Sequence, residues 1–456
     1  MTQTGTEVDR AVESPSGKQE APVQPAVGIR LPRGLAAFRH RDYRIFWFVQ
    51  LGSLTGTWMQ SLAQSWLVIS LTDSAIQLGV INAFQFGPMM LLGLPAGVVA
   101  DRIPKRRLLL VTQTLAGTIV SLLAILVATD AVQLWHLYVA ALALGTVNAF
   151  DMPARQAFVA ELVGKDDLMN AVAMNSALFN TTRILGPAIA GVLLAQVGVA
   201  ICFVINAISY APVVVGLALM RRRAVVPAAV GATSVVARLR EGLAYVRATP
   251  PVLVAISMVG MVATFGMNFS VWVPLLARNE FDAGADGFGL LMSAMGVGSL
   301  AGALALAFRG GTLSRRRMLT AAFAFGVLEG CLAIAAAIPV SFTIAVPLLV
   351  AVGFTMSSTL AMANTLVQTS VPDILRGRVM SIYMTVFSGT LPIGALLAGF
   401  TSSRLGAPAS IASGGIIVIL TTITIGIMAN RPVASAVVRP EPGRPSARAL
   451  GTPGKR

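Results

Sequence analysis

The stretch Gly97-Val98-Val99-Ala100-Asp101-Arg102-Ile103-Pro104-Lys105-Arg106-Arg107 decides the fold, because it joins two long apolar runs at 77–99 and 108–129. Each run is long enough to cross the hydrocarbon core of a bilayer as a helix, which takes about 20 apolar residues. The cations between the runs are too costly to place in lipid. The stretch therefore predicts the turn of a transmembrane helical hairpin, lying in water at one membrane surface.

The composition of the whole chain agrees with this interpretation. Its 456 residues are 55% hydrophobic and only 12% charged, and the mean hydropathy is +0.77. A soluble domain carries roughly 25% charged residues, about twice this supply. The composition therefore excludes a cytosolic enzyme, a nucleic-acid-binding protein and a disordered chain. We attribute the net charge of +15 (34 Lys and Arg against 19 Asp and Glu) to loops on the cytoplasmic side of a membrane.

Twelve apolar runs of spanning length occur, in two sets of six with a polar stretch between them. Transmembrane strands would need only about 10 alternating residues, so these lengths favour helices. The predicted fold is an all-α membrane protein with twelve transmembrane helices in two six-helix bundles. The runs lie near 44–70, 77–99, 108–129, 132–150, 168–196, 199–220, 251–276, 287–308, 318–338, 341–369, 378–401 and 409–430.

The same pattern predicts five segments. A disordered cytoplasmic tail covers 1–38, an N-terminal bundle 39–220, a cytoplasmic linker 221–250, a C-terminal bundle 251–430 and a second disordered tail 431–456. Within the linker, apolar residues recur at helical spacing opposite charged ones, which predicts an amphipathic helix lying along the membrane surface. A plain basic linker is the alternative. The apolar positions are Val235, Leu239, Leu243 and Val246.

The distribution of the 34 Lys and Arg residues sets the orientation. If the runs are spans, 31 of these cations lie on one side of the membrane, two (Arg278 and Arg404) on the other and one (Arg183) within a span. By the positive-inside rule, both termini are then cytoplasmic. The Ala-, Val- and Arg-rich composition suggests a bacterium, and we expect a multi-pass protein of its cytoplasmic (inner) membrane.

The stretch 97–107 resembles the loop 2–3 signature of the major facilitator superfamily, G-x-x-x-D-R-x-G-x-R-R, with Pro104 in place of the second glycine. In that family this element is a cytoplasmic gate latch that joins the two halves. The resemblance implies a gating role for Gly97, Asp101, Arg102 and Arg106, and we assign Arg155, in the basic connection after span 4, to the same set. The alternative is a basic loop that only sets the topology.

A second resemblance lies in span 5, where Gly186, Pro187 and Gly191 are similar to the G-P-x-x-G-G segment of exporters in the superfamily. A proline inside a helix removes a hydrogen bond and bends the helix, and small neighbours let the bend pack closely. A bend without directional meaning is the alternative. Together with the segments 148–157 and 241–247, these motifs resemble the exporter subfamily that includes bacterial enterobactin efflux.

Charged groups at membrane depth are functional candidates, because they are costly unless paired or hydrated. Arg183 is a candidate for binding substrate, or it pairs structurally with a carbonyl or with Asp151. Glu329 is a candidate for carrying the coupling proton, although helix packing is the reading we favour for it. Asp151, near the cytoplasmic end of span 4, is the second candidate proton carrier.

Uncharged polar residues also occur in spans that the resemblance places around a central cavity. In lipid, such groups seek partners, so they serve either helix–helix contacts or substrate binding. For any single one, we favour the helix–helix role. The candidates for substrate binding are Gln60, Gln64, Asn148, Asn268, Trp272 and Asn364.

The resemblance implies a secondary active transporter that works by alternating access. We expect it to be a monomeric proton antiporter that exports a small amphipathic compound, such as a drug or a siderophore-like molecule. No nucleotide-binding loop, metal-ligand spacing or nucleophilic triad is present in the sequence, so we expect no enzyme activity, no cofactor, no metal and no nucleic-acid partner. Uptake of a small metabolite, or a non-transporting receptor or scaffold on the same fold, are the alternatives.

Overall fold

The structure, a computed structural model, describes residues 33–220, 235–309, 314–338 and 342–430. The predicted disordered tail at 431–456, and most of the tail predicted at 1–38, lie outside these residues. So does the first half of the predicted linker.

Helices make up nearly all of the described chain. A short 3-10 segment, Arg33–Arg39, comes first. Two π-helical segments cover Val262–Gly266 and Leu276–Glu280. The α-helices are α1 (Arg41–Thr72), α2 (Ala75–Arg102), α3 (Lys105–Ala128), α4 (Leu134–Val163), α5 (Leu168–Gln196), α6 (Ala200–Leu219), α7 (Val235–Ala248), α8 (Pro250–Met261), α9 (Phe269–Leu275), α10 (Gly284–Arg309), α11 (Arg315–Ala336), α12 (Phe342–Ser370), α13 (Asp373–Leu405) and α14 (Ala407–Asn430).

Eleven of the predicted spans coincide with helices that are long and apolar enough to cross a membrane, counting the stretch Pro250–Glu280 as one. The remaining predicted span, 44–70, forms α1, whose 32 residues are long enough to cross a bilayer. Its composition is more polar, since it includes glutamines and serines such as Gln50, Ser53 and Gln60. These three residues are buried in the protein. That α1 crosses the membrane, and that both termini are cytoplasmic, stay predictions.

The N-terminal end of α1 is anchored to the turn between α4 and α5. The backbone N–H of Ala37 donates to Asn170 Oδ1 at 2.8 Å. The side chains of Arg39 and His40 contact Asp167 Oδ2 at 2.6 and 2.7 Å. The sequence predicts a disordered tail over residues 1–38. Residues 33–38 belong instead to the 3-10 segment Arg33–Arg39, which contacts Asp167 and Asn170.

Helix packing follows the same pattern in the first six and the last six long helices. In the first set, α2 packs against α4 and α3 packs against α6. In the second set, α10 packs against α12 and α11 packs against α14. Helix α7 packs on α13, where Glu241 pairs with Arg378. Tyr245 of α7 also donates a hydrogen bond to the carbonyl oxygen of Ser370, the last residue of α12, at 3.0 Å. We call residues 33–220 the N-half and 250–430 the C-half.

Two helix pairs form the seam between the halves, α5 with α10 and α2 with α13. Both pairs meet at glycines. A Cβ atom added at Gly191 would lie 2.8 Å from the Cα of Gly289, and one added at Gly79 would lie 3.2 Å from the Cα of Gly399. Because only glycine leaves room for backbones this close, these four positions set how closely the halves approach.

The seam is closed at one end of the molecule. We call the end that carries residues 101–107 and 371–378 the basic end. The glycine contacts of the seam lie toward the opposite end of the molecule. Helix α2 begins at that end and α13 ends there, and Gly79 and Gly399 are close to these helix termini. At the basic end, Met169 of α5 and Ile374 of α13 are 85% and 82% exposed. The glycine contacts between the halves therefore lie toward the opposite end, whereas these two residues of the basic end are exposed.

Candidate functional site

The predicted gating residues lie at the basic end, but they do not form one cluster. Asp101 and Arg102 are exposed at the end of α2. A Cβ atom added at Gly97 would meet nothing within 4 Å, so no helix packs closely there. Arg106 donates to the backbone carbonyls of Leu217 and Ala218 at 2.6 and 2.7 Å. These carbonyls end α6, where the helix dipole favours a cation.

Arg155 belongs to a buried polar cluster instead. Its guanidinium forms an ion pair with Asp151 one turn earlier on α4 and donates to Gln50 Oε1 of α1 at 2.9 Å. The other oxygen of Asp151 accepts hydrogen bonds from Thr112 and Gln113 of α3, both at 2.7 Å. Asp151 is 2% exposed. The cluster therefore ties together three helices of the N-half and gives a buried carboxylate both a counter-ion and hydrogen-bond donors.

At the opposite end, residues of the C-half contact the C-terminal end of α1 and the residue that follows it. Arg278, in the second π-helical segment, donates to the carbonyl oxygen of Ile69 at 3.0 Å and lies 3.6 Å from Asp73 Oδ1. One turn deeper, the rings of Trp66 and Phe288 stack with their centroids 6.0 Å apart. We call these four side chains and the Ile69 carbonyl the outer clasp.

Replacing Arg278 with alanine should weaken the outer clasp. The ion pair with Asp73 is largely exposed, so most of the loss comes from the hydrogen bond to Ile69, about 1 kcal/mol or roughly a fivefold shift in population. The readout uses the substitution Ser293→Cys, because Ser293 is buried in the α5–α10 seam. The rate at which this cysteine reacts with a membrane-impermeant thiol reagent, added from outside the cell, is measured. The background replaces Cys202 and Cys331 with serine.

Arg404→Ala is the matched control for this experiment. Arg404 is the other cation predicted on that side, and its guanidinium lies over Phe400 of its own helix, 5.7 Å from the ring centroid. We expect a faster reaction in Arg278→Ala and no change in Arg404→Ala. Equal rates in the two variants would show that Arg278 does not hold the halves together.

The predicted helix-bend residues lie at two different contacts of α5. Gly186 is buried against α1, next to the side chain of Trp58 and the carbonyl oxygen of Thr55. Gly191 meets Gly289 of α10, and the carbonyl oxygen of Pro187 also lies against Gly289. The segment therefore lets α5 approach one helix of its own half and one helix of the other half at the same time.

Arg183 lies about one turn before Gly186 on α5. Its Cζ atom is 6.0 Å from the centre of the Trp58 ring of α1, and its backbone carbonyl faces Gly296 of α10. On the far side of the helix, Leu185 and Ile189 are 43% and 41% exposed. The Arg183 side chain therefore points toward α1 and away from the exposed face of α5.

Several uncharged candidates make contacts within the protein. Asn206 of α6 donates to Gln60 Oε1 at 2.6 Å, and Trp272 Nε1 donates to Ser410 Oγ at 2.9 Å. Asn268 donates to the carbonyl oxygen of Thr264 at 2.8 Å. The remaining candidates are Gln64, which is buried, Asn148, which is exposed, and Asn364, which is partly buried and accepts a hydrogen bond from Gln368.

Glu329 is fully buried where α11 meets α14 and the first π-helical segment. Cβ atoms added at Gly266 and Gly415 would lie 3.4 Å from Glu329 Oε2 and 3.1 Å from its Cβ. Neither carboxyl oxygen has a hydrogen-bond partner among the described residues. A carboxylate in such surroundings would cost far more than a neutral acid, so the geometry favours the protonated form.

Sequence reasoning missed two residues, Trp58, which lies beside Arg183, and Arg278, which belongs to the outer clasp. Trp58 carried no signal, because an aromatic residue in an apolar run is usually part of the core. Arg278 had one, since only two cations lie on its predicted side of the membrane. Within the described ranges, no three His, Cys, Asp or Glu residues are grouped so that they could hold a metal ion.

Comparisons with known proteins agree with this architecture. The chain matches the model of the transmembrane secretion effector family over residues 33–442. It is 28% identical to the multidrug efflux pump Tap of Mycolicibacterium fortuitum, over 77% of this chain and 87% of that one. It is 26% identical to the staphyloferrin A transporter of Staphylococcus aureus, over 81% of this chain and 91% of that one.

Among solved structures, the nucleoside transporter NupG superposes with a TM-score of 0.67, covering 88% of this chain and all of NupG at 12% identity. At that identity the likeness shows the fold alone, which is the fold that the sequence resemblance predicts.

Proposed function

Because this chain belongs to the transmembrane secretion effector family of major facilitator transporters, we propose that it exports a small amphipathic compound by alternating access. The family makes it a transporter and not an enzyme, as expected. Export is favoured over uptake by relatives that are named for multidrug efflux, although a siderophore transporter is also among them.

The observation that carries the proposal is the one-ended contact between the halves. The glycine seams and the outer clasp join the halves toward the opposite end, while α5 and α13 are exposed at the basic end. With the basic end in the cytoplasm of a bacterial inner membrane, as predicted, this is the conformation that admits substrate from inside. Release to the outside then requires the clasp and the seams to open and the basic end to close.

We further propose that protons drive this exchange, in the manner of an antiporter. Asp151 and Glu329 are the candidate carriers. Asp151 is paired with Arg155 and accepts hydrogen bonds from Thr112 and Gln113, whereas Glu329 has no counter-ion and no hydrogen-bond partner among the described residues. Glu329 is therefore the better candidate for a group that holds a proton in this conformation. The gating residues Asp101 and Arg102 are exposed here, so any latching role belongs to the conformation that closes the basic end.

Transport into inverted membrane vesicles tests this function. We expect vesicles that contain the protein to accumulate ethidium or 8-anilinonaphthalene-1-sulfonate when respiration acidifies their interior, and a protonophore to stop the uptake. Asp101→Asn should reduce the rate at least about tenfold if the latch stabilises the closed basic end by about 1.4 kcal/mol. Loss of dye from preloaded energised vesicles would indicate uptake by the cell instead of export. A non-transporting receptor or scaffold would move neither dye in either direction.

A further inference from the structure

Among the described residues, the guanidinium of Arg183 has no counter-ion. The ion pairs between described residues do not include it, and its cation–π contact is with Trp58. The two acidic residues at membrane depth are placed elsewhere. Asp151 is paired with Arg155, and Glu329 lies on α11 against α14. An arginine stays charged in proteins, so Arg183 carries a positive charge that no acidic side chain in the described part of the chain compensates.

Packing fixes the place of this charge. Phe179, one turn before Arg183 on α5, meets the Trp58 ring edge-to-face with centroids 5.7 Å apart. Gly186 lies directly against the Trp58 side chain on the other side. On the next helix, Ser293 of α10 donates to the carbonyl oxygen of Ile184 at 3.3 Å. Trp58 is held between two residues of α5, and the Arg183 side chain lies over its ring, one residue before Ile184, which contacts α10 of the other half.

A buried charge without a partner is costly, whether it lies in protein or at membrane depth. Arg183 is only partly buried, which leaves room for water or a ligand beside its side chain. An anion that replaces this water would gain strong Coulomb attraction in surroundings of low dielectric constant, whereas a cation would be repelled. The planar guanidinium can bind a carboxylate through two parallel hydrogen bonds, and Trp58 offers an apolar ring face beside it.

We infer that Arg183 and Trp58 form the substrate-binding site for an amphipathic anion, in which an acidic group meets the guanidinium and a planar apolar body packs near the Trp58 ring. This inference rests on the proposed export function and narrows it, because it selects carboxylates and sulfonates over the cationic amphiphiles that an exporter of amphipathic compounds could also carry. Since α5 and α10 form one seam between the halves, the bound anion lies beside the contact that must rearrange during transport.

Binding of three probes with the same aromatic body tests the inference. They are 1-pyrenebutyrate, 1-pyrenebutanol and 1-pyrenebutylamine, which are an anion, a neutral molecule and a cation at pH 7. Affinities for the purified full chain in lipid nanodiscs are measured by equilibrium dialysis against protein-free nanodiscs. We expect the anion to bind at least about tenfold more tightly than the cation. Arg183→Met should abolish this preference, and Arg183→Lys should retain part of it because lysine keeps the charge without the planar fork.

Arg404→Met is the matched control, because Arg404 also lies over an aromatic ring but faces Phe400 on its own helix. It should bind the three probes as the unmodified protein does. Equal affinities for anion and cation, or a preference that survives Arg183→Met, would overturn the inference.

Failure of the inference and failure of the proposed function give different results. Vesicles that accumulate 8-anilinonaphthalene-1-sulfonate equally well with the unmodified protein and with Arg183→Met would leave the export function standing and remove the anion site. Vesicles that transport none of the dyes or pyrene probes, while the anion preference in nanodiscs still depends on Arg183, would support the site and contradict export. Gel filtration of Arg183→Met and Arg183→Lys checks that each variant is folded.

Discussion

Replacing Arg155 with methionine is expected to destabilise the protein by about 3–5 kcal/mol, a range typical of breaking a buried ion pair by removing one partner. The substitution leaves Asp151, which is 2% exposed, without its counter-ion, while Thr112 and Gln113 still donate to one carboxylate oxygen. It also removes the hydrogen bond to Gln50, so α1 loses a contact with α4. The expected result is a clearly lower midpoint of thermal unfolding in detergent.

The double variant Asp151→Asn with Arg155→Met is the control for this prediction. It removes both charges, so no ion is left buried alone, and we expect it to be more stable than Arg155→Met by at least about 1 kcal/mol. If Arg155→Met unfolds at the same temperature as the unmodified protein, the cluster is not a stabilising element of the N-half. If both variants are equally destabilised, the loss comes from packing and not from an unpaired Asp151.

Glu329→Gln is expected to leave the stability of the protein nearly unchanged, unlike Arg155→Met, and to abolish proton coupling. The carboxyl has no hydrogen-bond partner among the described residues, so exchanging a neutral acid for an amide of the same shape costs little stability. A glutamine cannot bind and release a proton in the working pH range. If Glu329 carries the coupling proton, export driven by a pH gradient should fall at least about tenfold. Substrate exchange without a gradient should continue.

Glu280→Gln serves as the matched control, because Glu280 is an exposed glutamate at the end of the second π-helical segment. A second readout is labelling by dicyclohexylcarbodiimide, which reacts with protonated carboxyls in apolar surroundings. Mass spectrometry should find the label on Glu329 and not on Glu280. Gradient-driven export that is undiminished in Glu329→Gln would mean that Glu329 serves helix packing, the role that the sequence favours.

Charge placement is the part of this molecule that could be read from the sequence. The cost of a cation in lipid confines Lys and Arg to the ends of helices, so residues such as Lys105 and Arg106 mark the turns. The same rule singles out Arg183 and Glu329, since each lies inside an apolar run. The two helix-bend glycines could also be recognised locally, because a proline inside a helix needs small neighbours.

Contacts between distant helices could not be read in this way. The stretch Pro250–Glu280 reads as one apolar span, yet its regular α-helix is interrupted between Met261 and Phe269, first by the π-helical segment and then by the non-helical residues Met267 and Asn268. The close packing beside this break comes from other helices, since Gly394 and Gly414 lie directly against the carbonyl oxygens of Thr264 and Phe265. Arg155 was assigned to the gate from its position after span 4. Its actual partner, Asp151, lies four residues earlier, at the spacing of ion pairs along one helix face.

The central claim is that the two halves separate at one end while they close at the other. Spin labels on α5 and α13 test it directly, with one pair at Met169 and Ile374 and a second pair at Val197 and Leu405, all four of which are at least 63% exposed. Cys202 and Cys331 are replaced with serine, and distances are measured by double electron–electron resonance in nanodiscs. When pH and substrate are varied, the account predicts that the 169–374 distance shortens as the 197–405 distance lengthens. Distances that stay fixed, or that lengthen together, would contradict it.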